Sequence, residues 1–274
     1  MTVVADGRVA AYWARQVVAF HEGVARIRSG DLTAVHPTRV AVRRMRSTLR
    51  SFDALFEARP VERLDHELEW VAEELGEVRD REVLLALFGG RVDLDPPLRE
   101  PLLATLRREH AEHGKRLARV LAADRVQALG GRLDATVDEP GSVGEADLEP
   151  YRARARRILA KRLCRAGAED EPERSHSARK AAKRVRYAAE VLGDDPLAVA
   201  EVRRAEALQD ALGACQDLVV ARDYLLDAAA EDPTLPSRAV AQLARALTEE
   251  RLTALALVDR SGLCDQVPVV AASA

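Results

Sequence analysis

Polar and apolar positions separate most sharply between residues 35 and 52, VHPTRVAVRRMRSTLRSF. At about 100° per residue, this segment places basic side chains on one face and apolar side chains on the opposite face. The apolar face holds Ala41, Val42, Met45, Leu49 and Phe52. The basic face holds His36, Arg39, Arg43, Arg46 and Arg50, with Arg44 at its edge. The pattern predicts an amphipathic helix whose basic face contains no acidic residue.

The start of this helix is predicted from Pro37. Proline suits the first helical position, because the N–H group that it lacks has no partner there in any helix. His36 is then expected to be the N-cap residue, at the positive end of the helix dipole. Such an end attracts anions.

The same pattern returns about 140 residues later, at residues 175–192, SHSARKAAKRVRYAAEVL. The positions of His36, Arg39, Arg43, Arg44 and Arg46 are taken there by His176, Arg179, Lys183, Arg184 and Arg186. A second pair of segments aligns at nearly the same offset, with Val71, Leu75, Gly76, Asp80 and Val83 matching Leu208, Leu212, Gly213, Asp217 and Val220. This self-similarity predicts an internal duplication.

The two halves of the duplication are not identical. The second has Gln216 where the first has Arg79, and Lys180 where the first has Val40, so the halves are not expected to contribute equally to a shared function. Each half also carries a glycine, Gly76 or Gly213, inside a predicted helix. Glycine costs ~1 kcal/mol relative to alanine there, and either a close helix approach or a tolerated glycine explains it.

Proline, glycine and capping residues divide the chain into eight predicted helices. They cover residues 7–28, 37–57, 61–88, 97–129, 146–166, 177–192, 196–229 and 236–259. The predicted fold is all-α, with two tandem four-helix bundles related by a pseudo-twofold duplication. The first repeat is placed at about 7–129, a linker at about 130–145, the second repeat at about 146–260, and a loose tail at 261–274.

Composition adds constraints on partners and location. Among 274 residues, 42 are basic and 45 are acidic, so the whole chain has no net field that would draw it to nucleic acid or to a membrane. No apolar stretch approaches the ~20 residues that span a bilayer. The three cysteines, Cys164, Cys215 and Cys264, have no metal-ligand spacing and are typical of thiols in a reducing compartment. A cytoplasmic protein without membrane association is expected.

The aligned arginines suit a linear polyanion. The stripe from His36 to Arg50 extends ~21 Å along its helix, which is longer than one phosphate monoester. Arginine offers planar forked donors to phosphate oxygens. The alternative is that these arginines form a solvated surface paired with the acids of residues 61–88. The repetition favours an anion, because two basic stripes without acids repel each other unless an anion lies between them.

Further candidate ligands lie near the second stripe. Arg152 and Arg156 are four residues apart and share a helix face, and Tyr187 offers a hydroxyl donor. Metal binding is not expected at His36 or His176, because neither has a carboxylate or cysteine at ligand spacing and both have positive neighbours. No catalytic constellation or phosphate-binding loop is present in the sequence, so no enzyme activity and no cofactor are expected.

These motifs resemble the CHAD family (conserved histidine α-helical domain). Its repeats carry an H-x-x-R-x-x-x-[RK]-R-x-R helix and, later, an L-G-x-x-x-D segment, and the resemblance covers nearly the whole chain as one domain. The resemblance implies non-catalytic binding of inorganic polyphosphate along a basic groove or channel formed by the two repeats, and is compatible with association with polyphosphate granules. The candidate ligands are His36, Arg39, Arg43, Arg44, Arg46, Arg50, Arg152, Arg156, His176, Arg179, Lys180, Lys183, Arg184, Arg186 and Tyr187.

Two other functions compete with this one. Nucleic acid is disfavoured, because single-strand binders interleave aromatic side chains with cations so that bases stack, and the stripes have only Phe52 and Tyr187. A metal-dependent phosphohydrolase is less favoured still, because it needs clustered carboxylates facing the arginines. The sequence does not define the oligomeric state.

Overall fold

A computed structural model describes residues 6–56, 58–136, 146–166 and 172–260. These residues form nine α-helices, two short 3-10 helices and no β-strand. The all-α class predicted from the sequence is confirmed. The α-helices are α1 (Gly7–Arg28), α2 (Val35–Ser51), α3 (Ala58–Gly90), α4 (Pro96–Leu121), α5 (Asp124–Ala135), α6 (Glu149–Ala166), α7 (Pro172–Glu190), α8 (Pro196–Glu231) and α9 (Ser237–Arg260). The 3-10 helices are Leu32–Ala34 and Asp53–Leu55.

The prediction of one helix over residues 97–129 is wrong. The chain breaks between α4 and α5, and Gly130 and Gly131 lie inside α5 instead of ending a helix. Gly130 is buried where α5 meets α1, and a Cβ atom there would lie 2.9 Å from Cε1 of His21. A close approach of two helices therefore explains this glycine. The first part of the predicted linker is helical, and residues 137–145 lie outside the described residues.

The prediction that His36 caps α2 is also wrong. The 3-10 helix Leu32–Ala34 runs directly into α2, whose N-cap is Ala34 with no side-chain cap hydrogen bond. The capping carboxylate lies one turn earlier, because Asp31 Oδ1 accepts from Thr33 N at 3.0 Å. His36 therefore lies within the first turn of α2, followed by Pro37.

The chain divides into two compact units. Unit one comprises Met1–Glu82 and Glu109–Tyr151, and unit two comprises Val83–Arg108 and Arg152–Ala274. Helices α3 and α4 therefore each contribute residues to both units. This division is not the one between the two predicted repeats, because the hairpin at 83–108 belongs with the second half of the chain. The predicted tail at 261–274 lies outside the described residues.

Unit one is built around α1, α2 and the first part of α3. Asp6 is the N-cap of α1: its Oδ1 accepts from Arg8 N at 2.9 Å, and its Oδ2 accepts from Ala146 N at 2.8 Å. The core contains large side chains from all three helices. Its fully buried members include Trp13, Phe20, Met45, Leu49, Leu68 and Leu75.

Unit two has two clusters of buried apolar side chains. One cluster joins the end of α3 and the start of α4 to α8 and α9, and includes Leu84, Phe88, Leu98, Leu225 and Leu247. The other joins α6, α7 and α8, and includes Leu159, Ala178, Ala182, Val185 and Leu208. Small alanines on α7 let the basic helix pack closely on α8. No helix among the described residues is long and apolar enough to cross a membrane.

Candidate anion-binding faces

The basic face of α2 lies opposite a fully buried apolar face. All five apolar side chains predicted to face the core are at most 2 % exposed: Ala41, Val42, Met45, Leu49 and Phe52. The basic side chains are half-buried or exposed. Arg39, Arg43, Arg44 and Arg46 are half-buried, whereas His36 and Arg50 are exposed. The amphipathic pattern therefore places the cations of unit one as expected.

The C-terminal part of this basic face is held by acids of α3. Arg46 Nε donates to Asp65 Oδ1 at 3.0 Å, and Arg50 Nη2 donates to Asp65 Oδ2 at 2.6 Å. Arg46 also donates to Glu69. The structure therefore shows that Arg46 and Arg50 pair with acids of α3. This pairing is the alternative to ligand binding that the sequence left open.

The N-terminal part of the face gathers positive charge around a histidine. Although His36 is exposed overall, partial burial of its side chain and the nearby Arg79 guanidinium lower its pKa. Glu82 opposes this shift, and Arg39 and Arg43 lower the pKa further. Arg79 Nη1 donates to Glu82 Oε2 at 2.9 Å. These surroundings therefore favour the neutral form of His36.

Unit two repeats this arrangement on α7. Burial lowers the pKa of His176, and Lys180, Arg179 and Lys183 lower it further, against a side-chain hydrogen bond with Gln216. The Nδ1 atom of His176 is buried and has no hydrogen-bond partner. Lys180 is exposed, Arg179 is half-buried, and Lys183 is only 6 % exposed. Three cations and one imidazole therefore lie together in the middle part of α7, between residues 176 and 183.

The same long-helix glycine contacts the leading arginine in each unit. A Cβ atom on Gly76 would lie 3.3 Å from Arg39 Nη2, and a Cβ atom on Gly213 would lie 3.3 Å from Arg179 Nε. The two glycines and the two arginines occupy matching positions of the duplicated motifs. Close approach was one of the two explanations expected for these glycines, but the sequence pattern did not indicate that the approaching group is an arginine.

Other predicted ligands of unit two are paired with carboxylates. Arg152 donates to Glu201, and Arg156 Nη1 donates to Glu201 Oε1 at 3.1 Å. Arg186 lies 2.9 Å from both Glu190 Oε1 and Glu206 Oε1. Glu201 is itself 6 % exposed, so it forms a buried cluster with two arginines of α6.

Two remaining candidates differ in their surroundings. Tyr187 is 5 % exposed, so its side chain is almost fully buried. Arg184 is half-buried on α7. Among the described residues there is no group of three or more His, Cys, Asp or Glu side chains arranged to hold a metal ion.

Sequence reasoning offered the acids of residues 61–88 as partners of the α2 arginines without singling out Asp65 and Glu69, and it missed Glu201. Asp65 and Glu69 are spaced i, i+4 on α3, which is the spacing that brings two carboxylates to one face of a helix. That signal was present in the sequence but did not identify its arginine partners. Glu201 gave no comparable signal, because it lies among mixed charges at the start of α8.

These features define a helical domain with two cationic helices of similar sequence pattern. The family model of the CHAD domain matches residues 11–226, and the chain belongs to the CHAD family. It is also 32 % identical over 218 residues to two uncharacterised proteins of Mycobacterium tuberculosis, Rv2226 and MT2285. The match covers 74 % of this chain and 42 % of each relative. The chain therefore spans less than half the length of these curated relatives.

Solved structures show the same fold. The crystal structure of the CHAD domain from the plant Ricinus communis superposes with a TM-score of 0.78 at 25 % identity, covering 97 % of this chain and 93 % of that one. PptA from Streptomyces chartreusis superposes with a TM-score of 0.71 at 20 % identity, covering 95 % of this chain and 97 % of that one. The second likeness concerns the fold alone.

Proposed function

We propose that the protein binds inorganic polyphosphate without catalysing its breakdown. The observation that carries the proposal is the grouping of Arg179, Lys180 and Lys183 around the half-buried His176 on α7. Burial lowers the pKa of this histidine, and the three cations lower it further. A matching cluster surrounds His36 on α2. A bound polyanion relieves the repulsion within each cluster, and each charge-assisted hydrogen bond contributes roughly 1.5 to 3 kcal/mol before the costs of association.

The binding faces in this proposal are shorter than the stripes read from the sequence. Arg46, Arg50, Arg152, Arg156 and Arg186 are held by carboxylates, so we assign them a mainly structural role. The proposed ligand-facing set is defined by position, as the residues at and around His36 and His176 on the two basic helices. It comprises His36, Arg39, Arg43 and Arg44 on α2, and His176, Arg179, Lys180, Lys183 and Arg184 on α7.

Phosphate without a base fits these faces better than nucleic acid does. Phe52 is fully buried and Tyr187 is 5 % exposed, so neither ring serves as a platform for base stacking. Stacking on aromatic side chains contributes about 1–3 kcal/mol per base in single-strand binders. A ligand that consists only of phosphates does not need this contribution.

The proposal of a non-catalytic role is supported by the ion pairs of the acids near the two basic faces. Glu82 is paired with Arg79, Asp65 with Arg46 and Arg50, and Glu201 with the two arginines of α6. A carboxylate held in this way is a weak general base and a weak metal ligand. We further propose a cytoplasmic location with access to polyphosphate granules.

A side-by-side titration tests the proposal. Inorganic polyphosphate, single-stranded RNA and single-stranded DNA are titrated into the protein at equal ionic strength, and free phosphate is measured in parallel. Polyphosphate is expected to bind tightest, with no phosphate released. The affinity should fall steeply with salt, with a slope of roughly 0.7 per neutralised phosphate. Tighter binding of RNA, release of phosphate or a flat salt dependence contradicts the proposal.

Charge reversal locates the site in the same assay. Lys180→Glu changes an exposed cation of the α7 cluster and should weaken binding at least tenfold. Arg245→Glu is the matched control, because Arg245 is also exposed but lies on α9. Arg91 is unsuitable as a control, because it lies 2.6 Å from Glu250. Equal weakening by both reversals indicates general charge attraction and not a site.

A further inference from the structure

Gly76 and Gly213 are not required by the backbone conformation. Both lie inside long helices, α3 and α8, where glycine lowers helix stability relative to alanine. Among the described residues, the glycines with positive φ are Gly30 and Gly193, so neither helical glycine needs a conformation closed to other residues. Another interaction must account for the same residue type at this position of both repeats.

That interaction is with a guanidinium group. A Cβ atom on Gly213 would lie 3.3 Å from Nε, 3.4 Å from Nη2 and 3.6 Å from Cζ of Arg179. A Cβ atom on Gly76 would lie 3.3 Å from Nη2, 3.7 Å from Nε and 3.8 Å from Cζ of Arg39. In both units the edge that carries Nε and Nη2 lies against the glycine, and Nη1 is farther away.

In each unit, the glycine and the residue that acts on the histidine lie on the same turn of the long helix, α3 or α8. Gln216, which bonds His176, follows Gly213 by three residues, and Arg79, which acts on His36, follows Gly76 by three residues. On the basic helices, Arg179 follows His176 and Arg39 follows His36 by three residues. Residues three apart share a helix face, so each unit brings together two such pairs, one from each helix.

We propose that Gly76 and Gly213 are positioning residues. Each holds the guanidinium group of Arg39 or Arg179 in a fixed contact position, or seat, against the long helix and so directs Nη1 towards a phosphate of the ligand. This inference rests on the proposed binding of polyphosphate. A side chain at either position displaces the guanidinium from its seat beside the histidine. An arginine that is held in place loses less conformational freedom on binding than a mobile arginine does.

Substitutions of graded size test the seat in unit two. Gly213→Ala moves the guanidinium by a few tenths of an ångström and should weaken polyphosphate binding about two- to threefold. Gly213→Leu fills the seat and should weaken binding at least tenfold, close to the loss caused by Arg179→Ala. Ala214→Leu is the matched control, because Ala214 is the exposed neighbour on α8, and it should change binding less than twofold.

A double variant distinguishes loss of the guanidinium seat from general damage to the helix, because only in the first case are the two losses of binding not additive. If Gly213 acts through Arg179, the double variant Gly213→Leu with Arg179→Ala should bind as Arg179→Ala alone does. Losses that multiply in the double variant overturn the inference, as does a Gly213→Leu variant that binds like the parent. The same cycle with Gly76 and Arg39 tests unit one.

A ligand-free measurement keeps the inference distinguishable from the proposed function. In the Arg179→Ala background, Gly213→Ala should raise the melting temperature by about 2 °C, because alanine favours the helix and no guanidinium opposes it. In the parent it should raise the melting temperature less or lower it. Equal increases of the melting temperature in the parent and in the Arg179→Ala background contradict the inference. If the parent protein does not bind polyphosphate, the proposed function fails while this comparison still decides whether the seat exists.

Discussion

The Nε atom of Arg46 on α2 lies 3.0 Å from Oδ1 of Asp65 on α3. The side chains of Arg46 and Asp65 are 16 % and 18 % exposed, so this ion pair is largely shielded from water. Arg50 shares the same carboxylate. The end of the α2 stripe is therefore tied to the neighbouring helix, and the candidate ligand-binding face is concentrated nearer His36.

Removal of this carboxylate should release positive charge to the ligand. Asp65→Asn leaves Arg50 without its closest partner, so the affinity for polyphosphate should rise two- to fivefold in a direct titration. The free energy of unfolding in urea should fall by about 1 kcal/mol, because a half-buried ion pair is lost. Glu62→Gln, which removes an exposed acid from the same helix, is the control. Equal affinity gains for the two variants contradict the assignment.

The buried cluster of Glu201 with Arg152 and Arg156 should matter for stability more than for binding. Glu201→Ala leaves two arginines in the interior without their shared carboxylate, and the expected loss is about 3–5 kcal/mol in chemical denaturation. Glu206→Ala is the control, because Glu206 lies on the same helix as Glu201 and is a partly exposed partner of Arg186. This change should lower the free energy of unfolding by less than about 1 kcal/mol.

A second comparison checks the cause of that loss. Replacement of all three charged residues of the cluster by leucine should recover much of the stability lost in Glu201→Ala, because no buried charge is then left unpaired. If the triple variant binds polyphosphate far more weakly than the parent does, Arg152 and Arg156 contact the ligand after all.

Acidification should change stability and affinity in opposite directions. Burial and neighbouring cations lower the pKa of His36 and His176 below the ordinary value, so below about pH 6.5 the unfolded chain takes up protons that the folded chain does not. Stability without ligand should therefore fall as pH falls through this range. A bound polyanion favours the protonated imidazole, so the affinity for polyphosphate should rise over the same range.

Titration by NMR of the histidine ring signals, with and without polyphosphate, measures both effects. In the presence of ligand the pKa of His176 should move upward. His176→Asn should remove part of the pH dependence of binding, whereas His66→Asn, at an exposed position of α3, should not. An unchanged pKa on binding would place His176 outside the ligand site.

Affinity should rise with the length of the polyphosphate chain and then level off. The face from His36 to Arg44 extends only ~12 Å along α2, so pyrophosphate engages few of its donors. Longer chains add contacts without repeating the entropy cost of association. A titration series from pyrophosphate to long chains, at fixed salt, should show this saturation. Equal molar affinity for pyrophosphate and a long chain points to a compact phosphate pocket instead.

The sequence by itself determined most of the helices and the opposite faces of α2 and α7. The separation of Met45 and Leu49 from Arg39 and Arg43 follows from a period of 3.6 residues, which depends only on neighbours along the chain. The repeat of that pattern on α7 likewise needed no tertiary information. The family motif named the same histidines and arginines, and the structure brings His36 near Arg79 and His176 near Gln216 as matched pairs.

Only the tertiary structure decided which of these cations are held by acids. Asp65 lies 19 residues from Arg46, and Glu201 lies 45 residues from Arg156. An ion pair of this kind depends on which turn of one helix packs against which turn of another, and periodicity within a helix does not specify that register. The same register sets Arg39 on Gly76 and Arg179 on Gly213, so the role of these glycines is visible only when the helices are packed together.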